Sequence, residues 1–197
     1  MSRFVIEYPP GATPLDPNEL GGLIPDYVTT QGELNALERD NIVEAARWAL
    51  TGRHRDVLNV SFCFDLHRRM FANVWRWAGA ARRTEKNLGV AKEQILTKLK
   101  AVFDDTGHWM ENKIYSPDEI GARFHHRLVS VHAFPNGNGR HARIMTEVVQ
   151  LSGGERPFTW GSSDLDASGS GARADYIGAL KLADENDYSW LVRFVRS

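Results

Sequence analysis

His132, Arg140 and Arg143 bracket a glycine-rich turn in the stretch His-Ala-Phe-Pro-Asn-Gly-Asn-Gly-Arg-His-Ala-Arg, residues 132–143. A histidine here is placed to take a proton from a hydroxyl that attacks phosphorus. Main-chain amides at a helix start, aided by the helix dipole, form an anion site. Gly137, Asn138 and Gly139 would expose such amides, because glycine tolerates positive φ and close approach. Arg140 and Arg143 add planar forks that match phosphate oxygens. Both would sit at a helix start, where the dipole disfavours cations, so an anionic partner is expected to compensate. A phosphate-bearing substrate and a general base, His132, are the chemistry these residues imply.

The flanking pattern decides which elements hold them. Ser116-Pro117-Asp118-Glu119 has capping-box spacing with proline at the first helical position. Ile120, Phe124, Leu128 and Val131 then form one apolar stripe that ends at the motif. Ile144, Val148 and Leu151 continue beyond it, and Gly153-Gly154 supplies a stop. The motif therefore joins two helices. Gly137 to Ala142 also fits the G-x-G-x-x-A dinucleotide fingerprint, but that reading needs a preceding strand in a βαβ unit and is set aside.

With those residues in place, the segment resembles the signature of the Fic (filamentation induced by cAMP) family, H-x-F-x-[D/E]-G-N-G-R-x-x-R. His132, Phe134, Gly137, Asn138, Gly139, Arg140 and Arg143 match position by position. Asn136 departs from it, standing where the family usually has a carboxylate. Trp77-Ala78-Gly79 with Arg82 or Arg83 resembles the family's entry to its flap, and residues 173–180 its closing helix. Thr-Pro-Leu-Asp-Pro and Thr-Gln-Gly-Glu-Leu-Asn near the N-terminus are similar to the "mobile mystery protein B" group.

The resemblance implies an all-α fold, a single Fic-like helical domain over 29–197, with a small β-hairpin flap and an irregular N-terminal arm over 1–28. It implies a protein adenylyltransferase that moves AMP from ATP, with Mg2+, to a Tyr, Thr or Ser hydroxyl of a target protein. Arg140 would hold the β-phosphate and Arg143 the γ-phosphate; Tyr176 is open to two readings, a platform for adenine or a core residue at helical spacing. Lys86 and Asn87 would lie on the flap that receives the target by strand addition. Magnesium would come with the nucleotide and meet only the neutral carbonyl of Asn136, hence bind weakly there. An antitoxin or regulator would be a further partner. The same scaffold also allows phosphate transfer, AMP removal, or a nucleotide-binding regulatory module with little catalysis.

Thr29-Thr30-Gln31-Gly32-Glu33 resembles the family's inhibitory S/T-x-x-x-E-G/N segment, in which Glu33 would reach Arg143. Leu34 stands where glycine or asparagine belongs, and Thr30 with Glu33 also has capping-box spacing. Both readings stay open at this point.

Elsewhere the chain is ordinary. Its 197 residues suit one compact domain, and a net charge of −1 argues against a broad nucleic-acid surface. No apolar run suits a membrane helix and no signal-peptide pattern opens the chain, so a cytoplasmic protein is expected. The single cysteine, Cys63, is expected to be a buried apolar residue. His125, His126, His132 and His141 lack zinc-site spacing, so no transition-metal site is expected. Residues 1–28 hold five of the eight prolines and no sustained period. Helices are expected from about 34 to Gly52, along Leu58, Phe62, Leu66 and Met70, from Ile95 to near Gly107, and along Tyr176, Leu180 and Ala183. Asn87 and Gly89 supply turn chemistry for a hairpin within 80–90.

Overall fold

The computed structural model describes residues 13–52, 56–162, 165 and 171–197. Eight α-helices are found there: α1 Pro17–Leu20, α2 Gln31–Thr51, α3 Val60–Phe71, α4 Ile95–Asn112, α5 Pro117–Val131, α6 Asn138–Ser152, α7 Gly171–Asp184 and α8 Ser189–Val195. None is long and apolar enough to cross a membrane.

The pair α5 and α6, joined by the motif, packs at the centre, with α2 and α3 on one side and α4 on another. Phe62, Leu66 and Met70 recur every fourth residue, so α3 buries that stripe in the main core, as do Ile95, Leu99 and Val102 on α4. Phe124, Leu128 and Val131 of α5 join the same core. Ala122 faces a second core, built from Tyr176, Ala179, Tyr188, Leu191 and Phe194 of the C-terminal segment. The helix that carries His132 at its end is thus gripped on both sides.

Local chemistry sets the helix ends. Ser116 caps α5 through the amide of Glu119 at 3.2 Å, with Pro117 at the first position. Glu119 turns to Arg123 instead of closing the box. The fourth helix runs past Gly107 to Asn112 and stops only at Lys113, in the left-handed region at φ 52°. Gly107 fails as a stop because Thr106, Trp109 and Met110 continue the helical pattern and its own backbone stays helical.

Two expectations are corrected. Within the described part of the N-terminal arm, Asp16 caps α1 with a reciprocal bond from Glu19, so part of the arm is helical. Leu15 and Val28 are buried in the main core. The hairpin expected within 80–90 is absent: an irregular loop runs there, and the bridge between Leu23 and Trp75 is the one β-pairing among the described residues. The side chain of Arg82 explains the loop. Its guanidinium donates to the carbonyls of Thr84, Val90 and His132, so a cation satisfies groups that a ladder would otherwise pair.

Candidate active site

The motif leaves α5 at His132, whose backbone is left-handed (φ 51°, ψ 57°) and ends that helix. The bulky Cβ makes this conformation costly, by about 1 kcal/mol or more, so surrounding contacts must hold it. They do. Arg82 Nε donates to the His132 carbonyl at 2.7 Å, and Arg82 N donates to the Ala133 carbonyl at 2.9 Å. Phe134, 1% exposed, anchors the turn in the core. Asn138 then laces the turn shut, accepting from Phe134 N at 2.9 Å and donating to Phe134 O at 2.8 Å.

Gly137 is required twice over. It sits at φ 78°, and a Cβ there would lie 2.5 Å from the Phe71 ring. Gly139 differs: the nearest atom to a Cβ would be the Tyr176 hydroxyl at 3.9 Å. Packing within the protein does not demand glycine at 139, which leaves open space at the helix start. No side chain caps α6 at Gly137. The amides of a first turn without such a cap await another acceptor.

His132 is 7% exposed, and its Nε2 is buried without a hydrogen-bond partner among the described residues. Burial, and then the nearby Arg82 cation, lower its pKa to about 4, against a bond to the Val129 carbonyl. The ring is therefore neutral at cellular pH, the form a base needs. The loop covers it: a Cβ at Gly89 would come within 2.6 Å of His132 Cβ.

The arginines have neighbours already. Arg140 Nη1 lies 2.6 Å from Glu38 Oε2, a residue of α2 that is 7% exposed and also accepts from Trp75 Nε1 at 2.6 Å. Arg143, half-buried one turn on, lies close enough to His125 and Glu147 to influence both electrostatically. Desolvation raises the pKa of Glu147 even so, and Trp160 donates to it at 3.0 Å.

Several sequence expectations are relocated. Glu33 does not reach Arg143. Its carboxylate accepts from the amides of Thr29 and Thr30 at 2.8 and 3.1 Å, closing the capping box of α2. Those amides lower its pKa. Tyr176 is buried in the second core with its hydroxyl 2.8 Å from His125 Nε2. Lys86 is drawn inward to Glu19 at 2.5 Å and to the Pro14 carbonyl at 3.2 Å, leaving its side chain 6% exposed, whereas Asn87 is exposed. Asn136 folds back: its Oδ1 accepts from Gly137 N at 2.6 Å.

Two residues escaped the sequence reading. Glu38 lies five residues beyond Glu33, on an inward face that the alanine-rich pattern of α2 hardly marks. His67 lies one residue off the Leu58, Phe62, Leu66 and Met70 stripe, and no motif singles it out. In the structure it bridges the loop and the turn.

Metal ligands are scarce. Among the described residues, no group of three or more His, Cys, Asp or Glu is arranged to hold an ion. His125 and His126 serve Tyr176 and Tyr188 respectively. Cys63 is fully buried, which pushes its thiol pKa up. A cleft of about 640 Å3 lies between α2 and α3, lined by Trp48, Phe62, Asp65 and Arg68, and it touches none of the motif.

An all-helical domain with a neutral histidine at one helix end, and an uncapped glycine turn with arginines opening the next, defines a narrow class. Residues 57–149 match the model of the Fic/DOC family. It is 28% identical over 155 residues to the protein adenylyltransferase fic-1 of Caenorhabditis elegans, covering 75% of this chain and 28% of that protein. The protein adenylyltransferase Fic of Nematostella vectensis is 28% identical over 146 residues, covering 70% and 31%. The chain thus spans under a third of the length of the curated relatives it matches. Among solved structures, an E274G form of C. elegans Fic-1 superposes with a TM-score of 0.63 at 26% identity, over 90% of this chain and 51% of that one. BepC of Bartonella tribocorum, with bound AMPPNP, gives a TM-score of 0.68 at 16% identity, over 85% and 87%.

Proposed function

We propose that this protein transfers AMP from ATP to a hydroxyl side chain of a target protein. The observation that carries the reading is His132: buried, neutral, without a partner for Nε2, and set in the same short turn as an uncapped helix start. A buried imidazole nitrogen left unpaired is costly, and a reacting hydroxyl would satisfy it. The likeness to curated protein adenylyltransferases and to an AMPPNP-bound fold supports ATP as the donor.

In this reading the target oxygen attacks the α-phosphorus. The bond from that phosphorus to the α,β-bridging oxygen breaks, AMP stays on the target, and pyrophosphate leaves. His132 Nε2 takes the hydroxyl proton and later gives it to solvent. The amides of Gly137, Asn138 and Gly139 receive the phosphates, with Arg140 on the β-phosphate and Arg143 on the γ-phosphate. Magnesium would enter with the nucleotide and be held mainly by phosphates and water, because Asn136 offers it only a neutral carbonyl. The loop over 80–90 swings away from His132 to admit the target, whose hydroxyl belongs to Tyr, Thr or Ser. An antitoxin or other regulator would act most simply by holding that loop shut.

A second reading has its own support. Glu38 holds Arg140, and the loop covers His132, so a nucleotide-binding regulatory module with little catalysis also fits. One experiment separates the readings: the protein with α-labelled ATP, magnesium and a cell lysate. Label on a protein band, with the mass of AMP rather than phosphate, supports AMP transfer. A folded protein that binds ATP and labels nothing favours the module, and one that does not bind ATP overturns both.

A further inference from the structure

His67 lies on α3, away from the motif in sequence, and is fully buried. Its ring stacks on Phe134 with centroids 3.7 Å apart and 10° between planes. Nδ1 is 3.0 Å from Gly79 N, at the entry to the closing loop. Nε2 is 3.1 Å from the Asn136 carbonyl, in the phosphate turn. A backbone N–H can only donate and a carbonyl can only accept. Nδ1 therefore carries a lone pair and Nε2 carries the proton. Burial first, then His141 and Arg140 with it, keep the ring from taking a second proton.

The bond to Asn136 has a consequence one atom further on. The peptide joining Asn136 and Gly137 is planar and trans, so its carbonyl and N–H point in opposite directions. Fixing the carbonyl against His67 aims the Gly137 N–H the other way. There it meets Asn136 Oδ1 at 2.6 Å. That oxygen occupies the place an anionic oxygen would take.

We propose that His67 is a positioning residue for the phosphate turn, a two-ended strut whose Nε2–H aims the Gly137 amide while Nδ1 fixes the loop entry at Gly79. A ligand oxygen displaces the Asn136 carboxamide from an amide already pointed at it. The role toward ligand rests on the proposed binding of nucleotide phosphates at this turn.

Two substitutions separate the ends of the strut. Glutamine can place an amide nitrogen where Nε2 lies and keep the donor to Asn136. Asparagine can place an oxygen near Nδ1 and keep only the acceptor for Gly79. Calorimetry with Mg–ATP should find His67→Gln within about twofold of wild type and His67→Asn weaker by about tenfold, the scale of one lost buried hydrogen bond. Equal weakening of both variants, or of neither, overturns the proposal.

Nitrogen-15 spectra of the unliganded wild type test the strut without nucleotide or variant. The His67 ring should show the Nε2–H tautomer from pH 5 to 8. A ring protonated on Nδ1, or on both nitrogens, would overturn the assignment. If wild type fails to bind ATP, the proposed function falls while the tautomer result still decides the strut.

Discussion

Glu38 of α2 and Arg140 of α6 meet at 2.6 Å, their side chains 9% and 23% exposed. The same carboxylate takes the indole N–H of Trp75. The fork expected to grip a phosphate thus grips a protein carboxylate. A nucleotide must either replace that partner or share the fork with it.

Replacing Glu38 by glutamine keeps an acceptor for Trp75 and removes the competing charge. Glu38→Gln should bind ATP about tenfold more tightly and transfer AMP faster. It should also lose about 1–3 kcal/mol of stability, because Arg140 is left partly buried without its counter-charge. Calorimetry and thermal melting on the same preparation check both. Unchanged affinity would mean that Arg140 can serve carboxylate and phosphate together.

His132→Ala should fold, bind ATP nearly as well as wild type, and transfer AMP ~10²–10⁴-fold more slowly, the usual loss with a general base. Since the pKa of His132 is lowered to about 4, the neutral base persists down to that value. Transfer should stay level from pH 8 to about 5.5 and fall only as pH drops toward 4. A rate that halves near pH 6.5 would place the base elsewhere or show that the open loop restores ordinary solvation.

Asn136→Asp returns a carboxylate to the turn and should lower the magnesium needed for half-maximal transfer. It also places a negative charge beside Arg140 Nη2, 3.4 Å from the present Oδ1. A magnesium titration identical to wild type would show that residue 136 keeps to its own Gly137 amide in the working complex.

Glu33→Gly removes a capping carboxylate and nothing else that the structure assigns to it. Melting temperature should fall modestly while transfer stays at the wild-type rate. A strong rise in transfer would mean that α2 rearranges to bring Glu33 to Arg143.

Stability should depend on acid in a defined window. His125 and His141 have pKa values of about 3 and about 4, His132 of about 4, and His67 is held well below its usual value, all led by burial. In the unfolded chain each takes a proton near pH 6.5, so the unfolded state binds more protons below that point. Stability is complete above about pH 6.5 and declines as pH falls toward 4, by up to ~1.4 kcal/mol per pH unit for each such histidine. Melting temperatures between pH 4 and 8 check the slope, and a flat profile would contradict the burial of these rings.

The helices were legible because their stripes are periodic: Phe62, Leu66 and Met70 could hardly lie elsewhere than in a core. The motif was legible because histidine, glycine and arginine in fixed order carry their chemistry in their types. What escaped was long-range pairing. Nothing local says that Lys86 will find Glu19, or that Glu38 and not Glu33 will face the motif, since both are set by how α1, α2 and the loop dock. The hairpin failed for a related reason. Asn87 and Gly89 do bend the chain, but Arg82 takes the carbonyls that two strands would have shared. Tyr176 has helical spacing with core residues, and its neighbour His125 made it a core hydrogen bond.

Arg82 holds the loop by carbonyl oxygens, which every amino acid possesses. The shape of the loop therefore depends little on the identities of Asn87 and Leu88, both exposed at its tip. Those positions can be rewritten while the frame beneath them stays constant. A lineage could thus retune what the protein touches there without rebuilding how it closes.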